Sequence, residues 1–515
     1  MLRKLSPFLF LTVVLGVGCL PVTNQDAGVE AGHDAGTLAP VWIHIFHTAD
    51  EHGWLQPSVS SDGVYIAGGV ANLVATWRDS FGFDPSRDLL LSGGDNWVGS
   101  AISTWFDGEP AVAALNAMGY RASAAGNHEF DKGTELFSAR SAQAAYPYLG
   151  ANVLQRSSGQ IPDFLQPWVL LESSGVRVGV LGLALQNTAT AVNPIQVADL
   201  EFIDPVETVD RVVPDLRAAG AQVVVLLTHE CSSRVAEILG AINVKVDLAF
   251  AAHCHQLDIA EFQGIPIVSS GRFWRAFSVS HLRVDTASGE VLERRVSTGE
   301  LVFTSDSPNP VEPDPGLSSL VEGWQQQLDD VLAEQVGYTT SGIAQGSATQ
   351  TNWVTDAWRW AFPQAQVALQ NVGGLRQALA PGPITRADIV GMMPFDNLIY
   401  EVRITGAELQ QNLLAGLAYS ASARPAVSGL SYAQNGDQLD VTLDSGAALD
   451  PVASYRVLVN DFMYNGGGGY LFATQDPDPL DTAQNYRQPL LDWCLAHPSD
   501  AASPVESHLD PVPRG

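Results

Sequence analysis

Residues 223–230 read VVVLLTHE, an apolar run that ends in a threonine, a histidine and a glutamate. A short apolar run of this kind predicts a buried β-strand. Similar runs recur from residue 41 to about residue 300, with helix-like segments between several of them. This alternation predicts an α/β layered fold. The candidate strands are Val41–Phe46, Leu89–Leu91, Val176–Leu183, Val223–Leu227, Val246–Phe250, Ile265–Val268 and Phe277–Val284, and two candidate helices are Ala111–Met118 and Val206–Ala219.

The composition is that of an acidic globular protein. The chain has 515 residues, 46% of them hydrophobic, and a length that suits two or three domains. Lys and Arg number 26 against 56 Asp and Glu, a net charge of −30. This balance argues against nucleic acid as a partner, because binding to its backbone needs clustered Lys and Arg. Free anions are repelled as well, so a phosphate substrate would need a strong local positive centre.

The N-terminus has the pattern of a secretory signal. Arg3 and Lys4 precede the short apolar stretch Phe8–Val17, and Gly18 precedes Cys19. The pattern resembles a bacterial lipobox, which predicts a signal peptide over residues 1–19 and a lipid on Cys19; the alternative is a plain cleaved signal. Residues 20–40 read as a flexible tether. We therefore expect an exported, membrane-anchored lipoprotein that faces the periplasm or the cell surface. No apolar run after residue 20 is long enough for a transmembrane helix.

The rest of the chain divides at a proline-rich stretch. Residues 302–316 contain four prolines and predict a domain boundary. We expect one domain over residues 41–300, a linker with a connector helix (Leu317–Gln335) over residues 301–335, and a second α/β domain over residues 336–497. The tail, residues 498–515, is rich in Pro and Ser and is expected to be frayed.

Side chains that can bind a cation follow most of the predicted strands. Taken alone, the stretches with Asp50 and Asp95 are better explained as a solvated loop and a Gly-Asp turn, and Asn127 can be a helix cap, whereas His253 and His255 form a moderate metal signal. Together they would converge, because the carboxyl ends of strands in an open α/β sheet form one crevice. Buried carboxylates and imidazoles are costly without a partner, which favours a metal site. The candidate ligands are Asp50, His52, Asp95, Asn127, His229, His253 and His255, a number that suits two ions sharing a bridging aspartate.

The ordered motifs resemble those of a known family. The stretches FHTADEHG, LSGGDNWVGS, GNHEFDKG, TH and H-x-H are similar to those of the 5′-nucleotidase family of calcineurin-like metallophosphoesterases, which includes periplasmic UDP-sugar hydrolases. Residues 371–376, 382–385, 393–397, 404–407 and 464–470 resemble motifs of that family's C-terminal half. The resemblance covers about residues 41–480. It implies a four-layer α/β/β/α metallophosphoesterase domain followed by an α/β substrate-binding domain.

The resemblance also implies a role for each site residue. One metal would be held by Asp50, His52, Asp95 and His255, and the other by Asp95, Asn127, His229 and His253. His128 and Asp131 match the catalytic pair, Asn371 and Arg376 match substrate-binding positions, and Phe395 and Tyr470 match the two aromatics that enclose a nucleobase. The implied cofactors are two divalent ions, with Zn, Mn, Co and Fe all compatible with the mixed ligands. For Phe395 and Tyr470, the residues alone favour core packing.

Two positions depart from the family pattern. The family has a second Arg ahead of the helix that corresponds to Thr351–Ala357, but no Arg lies between residues 336 and 357. Arg272 or Arg275 could take its place. Asp396 stands where the family usually has Gly, which brings a negative charge to the expected base site.

The cysteines leave one pairing open. Cys231, Cys254 and Cys494 remain after Cys19. A disulfide between Cys231 and Cys254 would tie two ligand loops together, but the odd number favours free buried thiols, and this is the expectation.

The sequence thus predicts an exported two-metal phosphohydrolase that acts on nucleotide phosphoesters, with a small-molecule nucleotide as its substrate. The alternatives are a 2′,3′-cyclic-nucleotide phosphodiesterase, a UDP-sugar hydrolase and a non-catalytic surface binding protein. Contact with the membrane is expected only through the lipid anchor, and the sequence gives no indication of oligomeric state.

Overall fold

Two six-stranded sheets form the centre of the N-terminal half. In the first, parallel pairs join the strands that carry the early motifs, and an antiparallel hairpin closes one edge. Its strands in spatial order are Val291–Glu300, Ala276–Val284, Val41–Thr48, Leu89–Ser92, Ala122–Ala124 and Tyr148–Leu149. The second sheet contains Leu257–Phe262, Ile265–Ser270, Leu248–Ala251, Val223–Thr228, Val176–Leu183 and Trp168–Ser173.

The computed structural model describes residues 39–59, 65–304, 311–435 and 438–515. The predicted signal peptide and residues 20–38 of the predicted tether lie outside the described residues. So do residues 305–310 of the proline-rich linker.

The strand Val223–Thr228 illustrates why the two sheets form layers. Val223, Val225 and Leu227 belong to the core between the sheets, whereas Val224 and Leu226 pack outward against helices. Because successive side chains point to opposite faces, a strand that is apolar throughout must be covered on both sides. This is the physical reason for the continuous apolar run in the sequence.

Helices cover the outer face of each sheet, which completes the predicted α/β/β/α order. Phe46 and Leu90 of the first sheet pack against Trp77 and Leu115 on its helical layer. The helices of the first sheet are Val70–Phe81, Ala101–Thr104, Glu109–Met118 and Gly133–Gln143, and those of the second are Pro205–Ala218 and Ser232–Ala241, with the short helix Thr188–Ala191 between the two groups. The small paired strands of this half are Ser58–Val59, Tyr65–Ala67 and Val302–Thr304, and Val153–Gln155 with Leu200–Phe202.

The C-terminal half is a five-stranded sheet with a core on each face. Ala368 and Leu458 face one core and Val367 and Val457 face the other. The strands in spatial order are Pro425–Ser428, Val367–Asn371, Ser454–Asn460, Leu398–Thr405 and Leu480–Asn485, with two small sheets, Gln335–Thr339 with Gly382–Thr385 and Leu430–Asn435 with Gln438–Leu443. The helices are Ala348–Ala361, Arg386–Met392, Gly406–Tyr419, Asp461–Tyr464, Phe472–Gln475 and Gln488–Ala496.

The connector helix runs over Pro315–Leu332, so it ends three residues before the predicted end. Asp314 caps its first turn by accepting a hydrogen bond from the amide of Leu317. Among the described residues, no helix is both long and apolar enough to span a bilayer.

The prediction of a frayed C-terminal tail is wrong. Val505 is buried in the core of the C-terminal half, and the Asn352 side-chain amide donates to the carbonyl of Asp510. Arg514 pairs with Asp356 at 2.6 Å. A composition rich in Pro and Ser does not prevent docking, because these contacts satisfy the backbone of the tail and bury its apolar residue.

Candidate metal centre and substrate cleft

The loops after the strands bring the predicted ligands together. Ligand atoms of Asp50, His52 and His255 lie within 4.8 Å of one another, and so do those of Asp95, His229 and His253. The two groups adjoin, because the His52 and Asp95 ligand atoms form a third group with His128. The carboxyl ends of both sheets therefore meet at one site, as the sequence predicts.

Asp95 lies between the two groups. Its Oδ2 atom is 3.0 Å from Nε2 of His229 and 3.9 Å from Nε2 of His52. The side chain is 2% exposed. A buried carboxylate in this position can contact ions on both sides, which is the geometry that a bridging ligand needs.

Two buried oxygens in the cluster lack a hydrogen-bond partner among the described residues. They are Oδ2 of Asp50 and Oδ1 of Asn127. Buried polar atoms are normally paired, because an unpaired one loses its hydration without compensation. Hence Asn127 does not cap the turn that follows it, and both oxygens are available to a cation. These two unpaired oxygens show that the residues of the cluster fit divalent ions.

Two of the candidate ligand histidines, His52 and His229, are hydrogen-bonded through Nδ1, the ring nitrogen that points away from the cluster. Nδ1 of His52 is 2.6 Å from the carbonyl of Val98, and Nδ1 of His229 is 2.7 Å from the carbonyl of Gly93. These bonds require a proton on Nδ1, so Nε2 is the ring nitrogen that faces the cluster. Burial lowers the pKa of His253 to about 4 and, with Arg376 nearby, that of His255 to about 2, so both rings are neutral.

Five candidate ligands have a left-handed backbone. Such φ angles are uncommon outside glycine and cost free energy. Strain that persists here indicates that the surrounding loops hold the side chains in fixed directions. The φ angles are 52° at Asp50, 49° at His52, 60° at Asp95, 66° at His253 and 55° at His255.

Gly126 explains how the Asp95 loop can approach its neighbour. A Cβ atom at Gly126 would lie 2.2 Å from Oδ1 of Asp95, so a larger residue would displace the carboxylate. The glycine of the GNHE stretch is therefore required by close approach of two ligand loops.

Two buried glutamates support these loops, and sequence reasoning missed both. Glu129 accepts hydrogen bonds from the backbone amides of Asp95, Asn96 and Gly126 at 2.7–2.9 Å. Glu51 accepts from the side chains of Ser92 and Asn96. Burial raises the pKa of each glutamate to about 7. The available signal was their position, because each is adjacent in sequence to a motif residue.

His128 and Asp131 form the predicted pair. Nδ1 of His128 lies 2.7 Å from the Asp131 carboxylate, which leaves Nε2 for another partner. Burial opposes the imidazolium, but the charges of Asp131 and Asp95 outweigh it and raise the pKa of His128. The His128 ring also stacks on Phe395, with centroids 5.7 Å apart.

The expectation of free thiols at Cys231 and Cys254 is wrong, because the two form a disulfide. Cys494 is free and buried. Sequence spacing could not decide the pairing, since it depends on the approach of two loops that follow neighbouring parallel strands, Val223–Thr228 and Leu248–Ala251. The bond ties the loop of His229 to that of His253 and His255.

A cleft of about 1230 Å³ opens from the cluster toward the C-terminal half. Asn371, Arg376 and Phe395, three of the predicted substrate-binding residues, line it. Nη2 of Arg376 is 3.1 Å from Nε2 of His52, so the guanidinium reaches the candidate metal ligands from the other half of the molecule. The Asn371 side-chain oxygen accepts a hydrogen bond from Asn460.

Tyr470 is not brought to the cleft. Its ring is 3% exposed, stacks on Phe472 in the core, and its hydroxyl donates to the carbonyl of Ala423. The core packing that the residues alone favour is therefore what the structure has. Phe273, Tyr419 and Phe462 line the cleft with Phe395, and the sequence motifs did not identify them.

Arg272 and Arg275 could each replace the arginine that the family has ahead of the helix corresponding to Thr351–Ala357, but only Arg272 lines the cleft. Arg272 lines the cleft, and its Nη1 is 3.1 Å from Nδ1 of His255. The guanidinium of Arg275 instead lies over the rings of Trp54 and Phe273.

Asp396 is not an isolated negative charge. Lys132 lies 2.6 Å from its carboxylate, and Arg487 is hydrogen-bonded to it. Burial disfavours its charge, but these two cations hold the pKa of Asp396 below its ordinary value.

Comparison with known families accounts for both halves. The model described as calcineurin-like phosphoesterase matches residues 43–257, and the model described as 5′-nucleotidase, C-terminal domain, matches residues 333–475. The chain belongs to the 5′-nucleotidase family of calcineurin-like phosphoesterases. It is accordingly a phosphoesterase-type hydrolase.

Individual relatives are distant in sequence. The chain is 26% identical to Endonuclease YhcR of Bacillus subtilis over 85% of its own length, but it spans only 38% of YhcR. It is 22% identical to a 5′-nucleotidase of Vibrio cholerae over 90% of this chain and 91% of that one. The structure of a 5′-nucleotidase precursor from Thermus thermophilus superposes with a TM-score of 0.80 at 22% identity, covering 92% of this chain and 99% of the other. This likeness shows that the fold is shared.

Proposed function

We propose that the protein is an exported two-metal phosphohydrolase that hydrolyses nucleotide phosphoesters. The observation that carries the proposal is the convergence of six candidate ligands, Asp95 among them, in adjoining groups, with unpaired buried oxygens on Asp50 and Asn127. A site that only bound a ligand would not need so many cation-binding groups beside a His–Asp pair.

The ligand sets follow from the two groups of side chains. Asp50, His52 and His255 would hold one ion, His229 and His253 the other, and Asp95 would contact both. The sequence resemblance adds Asn127, whose buried Oδ1 is unpaired among the described residues, to the second set. When bound, two divalent ions supply a water of lowered pKa and positive charge for the phosphoryl oxygens. A net charge of −30 makes such a local centre necessary for an anionic substrate.

The residues around the centre have separate tasks. His128, oriented by Asp131, presents a protonated Nε2 that can donate a hydrogen bond to the phosphoryl group or the leaving oxygen. Arg376 reaches the same place with a fork of N–H donors that suits phosphate. Both groups favour charge that grows on oxygen during hydrolysis.

The cleft suits a nucleotide. Phe395 offers an apolar face at its wall, on which a base can stack irrespective of its identity. Phe462 and Tyr419 line the same cleft and are candidates for the opposite face. Asn371, which matches a substrate-binding position of the family, is a polar residue that lines the same cleft.

Export is supported by two features. The first nineteen residues have the pattern of a signal with Cys19 at its end. The Cys231–Cys254 disulfide is a bond that persists outside the reducing cytoplasm. A lipid on Cys19 would anchor the protein to the membrane.

The test is phosphate release by residues 40–515, stripped of metal and resupplied with Mn²⁺ or Zn²⁺. The panel is AMP, UDP-glucose and 2′,3′-cyclic AMP, with a phosphomonoesterase in parallel wells to reveal phosphate in the products. Metal-dependent release from AMP supports the proposal. Cleavage of only UDP-glucose or only the cyclic nucleotide would assign the protein to the corresponding alternative substrate. Absence of phosphate release from every substrate, with no metal bound, would contradict the proposed function.

A further inference from the structure

We propose that Arg272 forms a second anion subsite, which binds an anionic group of the substrate next to the phosphate that is attacked. The inference rests on the proposed function, since it assumes a phosphoester in the cleft. It follows from the pairing of the cations in the cleft, from the turn that carries Arg272, and from its distance to the ligand cluster.

The charges in the cleft single out two arginines. Four Lys and Arg side chains line it: Lys132, Arg234, Arg272 and Arg376. Lys132 pairs with Asp107 and Asp396, and Arg234 pairs with Glu237. In the described part of the chain, neither Arg272 nor Arg376 lies within ion-pair distance of a carboxylate, and both contact imidazoles instead. Their charge is therefore available to an anion from solution.

The position of Arg272 is built into the fold. The residues around it have left-handed backbones, with φ of 73° at Gly271, 62° at Phe273 and 49° at Trp274. The amide of Phe273 donates to the carbonyl of Asp50, which fixes this turn to a candidate ligand loop. The guanidinium lies 4.8 Å from the centre of the Phe273 ring. Strained backbone that is held in this way is common where a side chain must be aimed.

The two arginines differ in depth. Arg376 contacts Nε2 of His52, an atom of the candidate metal cluster. Arg272 contacts Nδ1 of His255, whereas Nε2 of the same ring lies 3.2 Å from Nε2 of His52. Arg272 thus stands one imidazole ring farther from the cluster. An attacked phosphoryl group would be beside Arg376, and Arg272 would reach the anionic group linked to it.

This placement identifies the chemical class that benefits from Arg272. A nucleoside monophosphate has one phosphate and would leave Arg272 unused. A nucleoside diphosphate, or an ester of one, has a second phosphate that the planar guanidinium can bind through two N–H groups. The cleft of about 1230 Å³ has room for the larger molecule.

Equilibrium binding tests the subsite without relying on turnover. Metal-loaded residues 40–515 would be titrated calorimetrically with the α,β-methylene analogue of ADP and with the 5′-phosphonate analogue of AMP. We expect Arg272→Ala to weaken the ADP analogue about tenfold and to leave the AMP analogue unchanged. Arg272→Lys should be intermediate, because it keeps the charge but loses the fork. Arg211→Ala, which changes an exposed arginine outside the cleft, is the matched control and should bind both probes normally.

The other outcomes overturn the subsite. Equal weakening of both probes would place Arg272 on the attacked phosphate, and no weakening would leave it without a ligand. Loss of metal from Arg272→Ala would mean that it supports His255 instead. If the wild-type protein binds the ADP analogue through Arg272 yet releases no phosphate from any substrate, the subsite stands and the proposed function fails.

Discussion

Asp95 is the residue on which the candidate metal centre depends, because its carboxylate is close to histidines of both ligand groups. The substitution Asp95→Asn keeps the shape and removes the charge. We expect bound metal to fall below two ions per chain and turnover to fall by at least about 100-fold, since a bridging ligand serves both ions. Metal analysis and phosphate release check this.

Asp199→Asn, which changes an exposed aspartate outside the cleft, is the matched control and should keep metal and activity. Near-normal turnover in Asp95→Asn would rule out the two-metal mechanism.

His128 is close enough to His52 and Asp95 to be a ligand, so its role needs a separate test. We expect His128→Ala to keep both metals and to lose turnover by about 10²–10⁴-fold, the range for a missing general acid or base. The measurement is metal content beside kcat. Loss of one metal would instead assign His128 to the coordination sphere.

At the scale of elements, the disulfide joins two loops that carry three candidate ligands. Cys231 follows His229 by two residues, and Cys254 lies between His253 and His255. Without the bond each loop would be fixed only at its own strand. The double substitution Cys231→Ala and Cys254→Ala should therefore weaken Mn²⁺ binding about 10–100-fold, as loss of other supports of metal ligands does. It should also lower the free energy of unfolding by about 3 kcal/mol, because the unfolded chain is no longer constrained by a cross-link between two cysteines 23 residues apart.

Calorimetric Mn²⁺ titration and thermal unfolding measure the two effects. A thiol reductant should reproduce the loss in the wild-type protein and change nothing in the double variant. Unchanged Mn²⁺ affinity in the variant would show that the bond has no part in positioning the ligands.

The elements themselves were largely predictable, because apolar runs fix them locally. The strand Val176–Leu183 has its predicted bounds, and the first helix of the second sheet differs by one residue at each end. The convergence of the candidate ligands could be predicted because most of them closely follow the end of a strand. The disulfide and the burial of Tyr470 could not, since each depends on how distant loops approach one another. Glu51 and Glu129 were open to prediction from their place beside ligands.

At the scale of the whole molecule, the two halves meet across the cleft. Arg376 contacts His52, Lys132 pairs with Asp396, and Tyr419 donates to Thr190. Sequence motifs indicated that residues of both halves form the site, but the partners of Asp396 could not be foreseen, because Lys132 and Arg487 are both distant from it along the chain. The negative charge that Asp396 brings to the expected base site is offset by these two cations.

The C-terminal tail was predicted to be frayed, but it docks on the C-terminal half, and Glu506 explains this docking. Its carboxylate accepts hydrogen bonds from the hydroxyl of Thr339 and the amides of Thr340 and Ser341 at 2.6–2.9 Å. Burial opposes its charge, but these donors outweigh burial and lower the pKa of Glu506 from 4.5 to about 2. The carboxylate is therefore stabilised in the folded state, and it fastens the segment around the buried Val505 to the strand Gln335–Thr339.

The sign of the pH effect follows from this lowered pKa. The stabilisation is fully present above pH 4.5 and is lost as the pH falls through about 2, because between these values the unfolded state binds a proton that the folded state does not. We expect Glu506→Gln to lower the free energy of unfolding by about 1 kcal/mol at pH 7, a modest value for a partly exposed group. The difference from wild type should shrink steadily below pH 4.5. Urea unfolding at pH 7 and pH 3 measures it, with the exposed Glu322→Gln as control. A difference independent of pH would mean that the shape of the side chain, and not its charge, holds the tail.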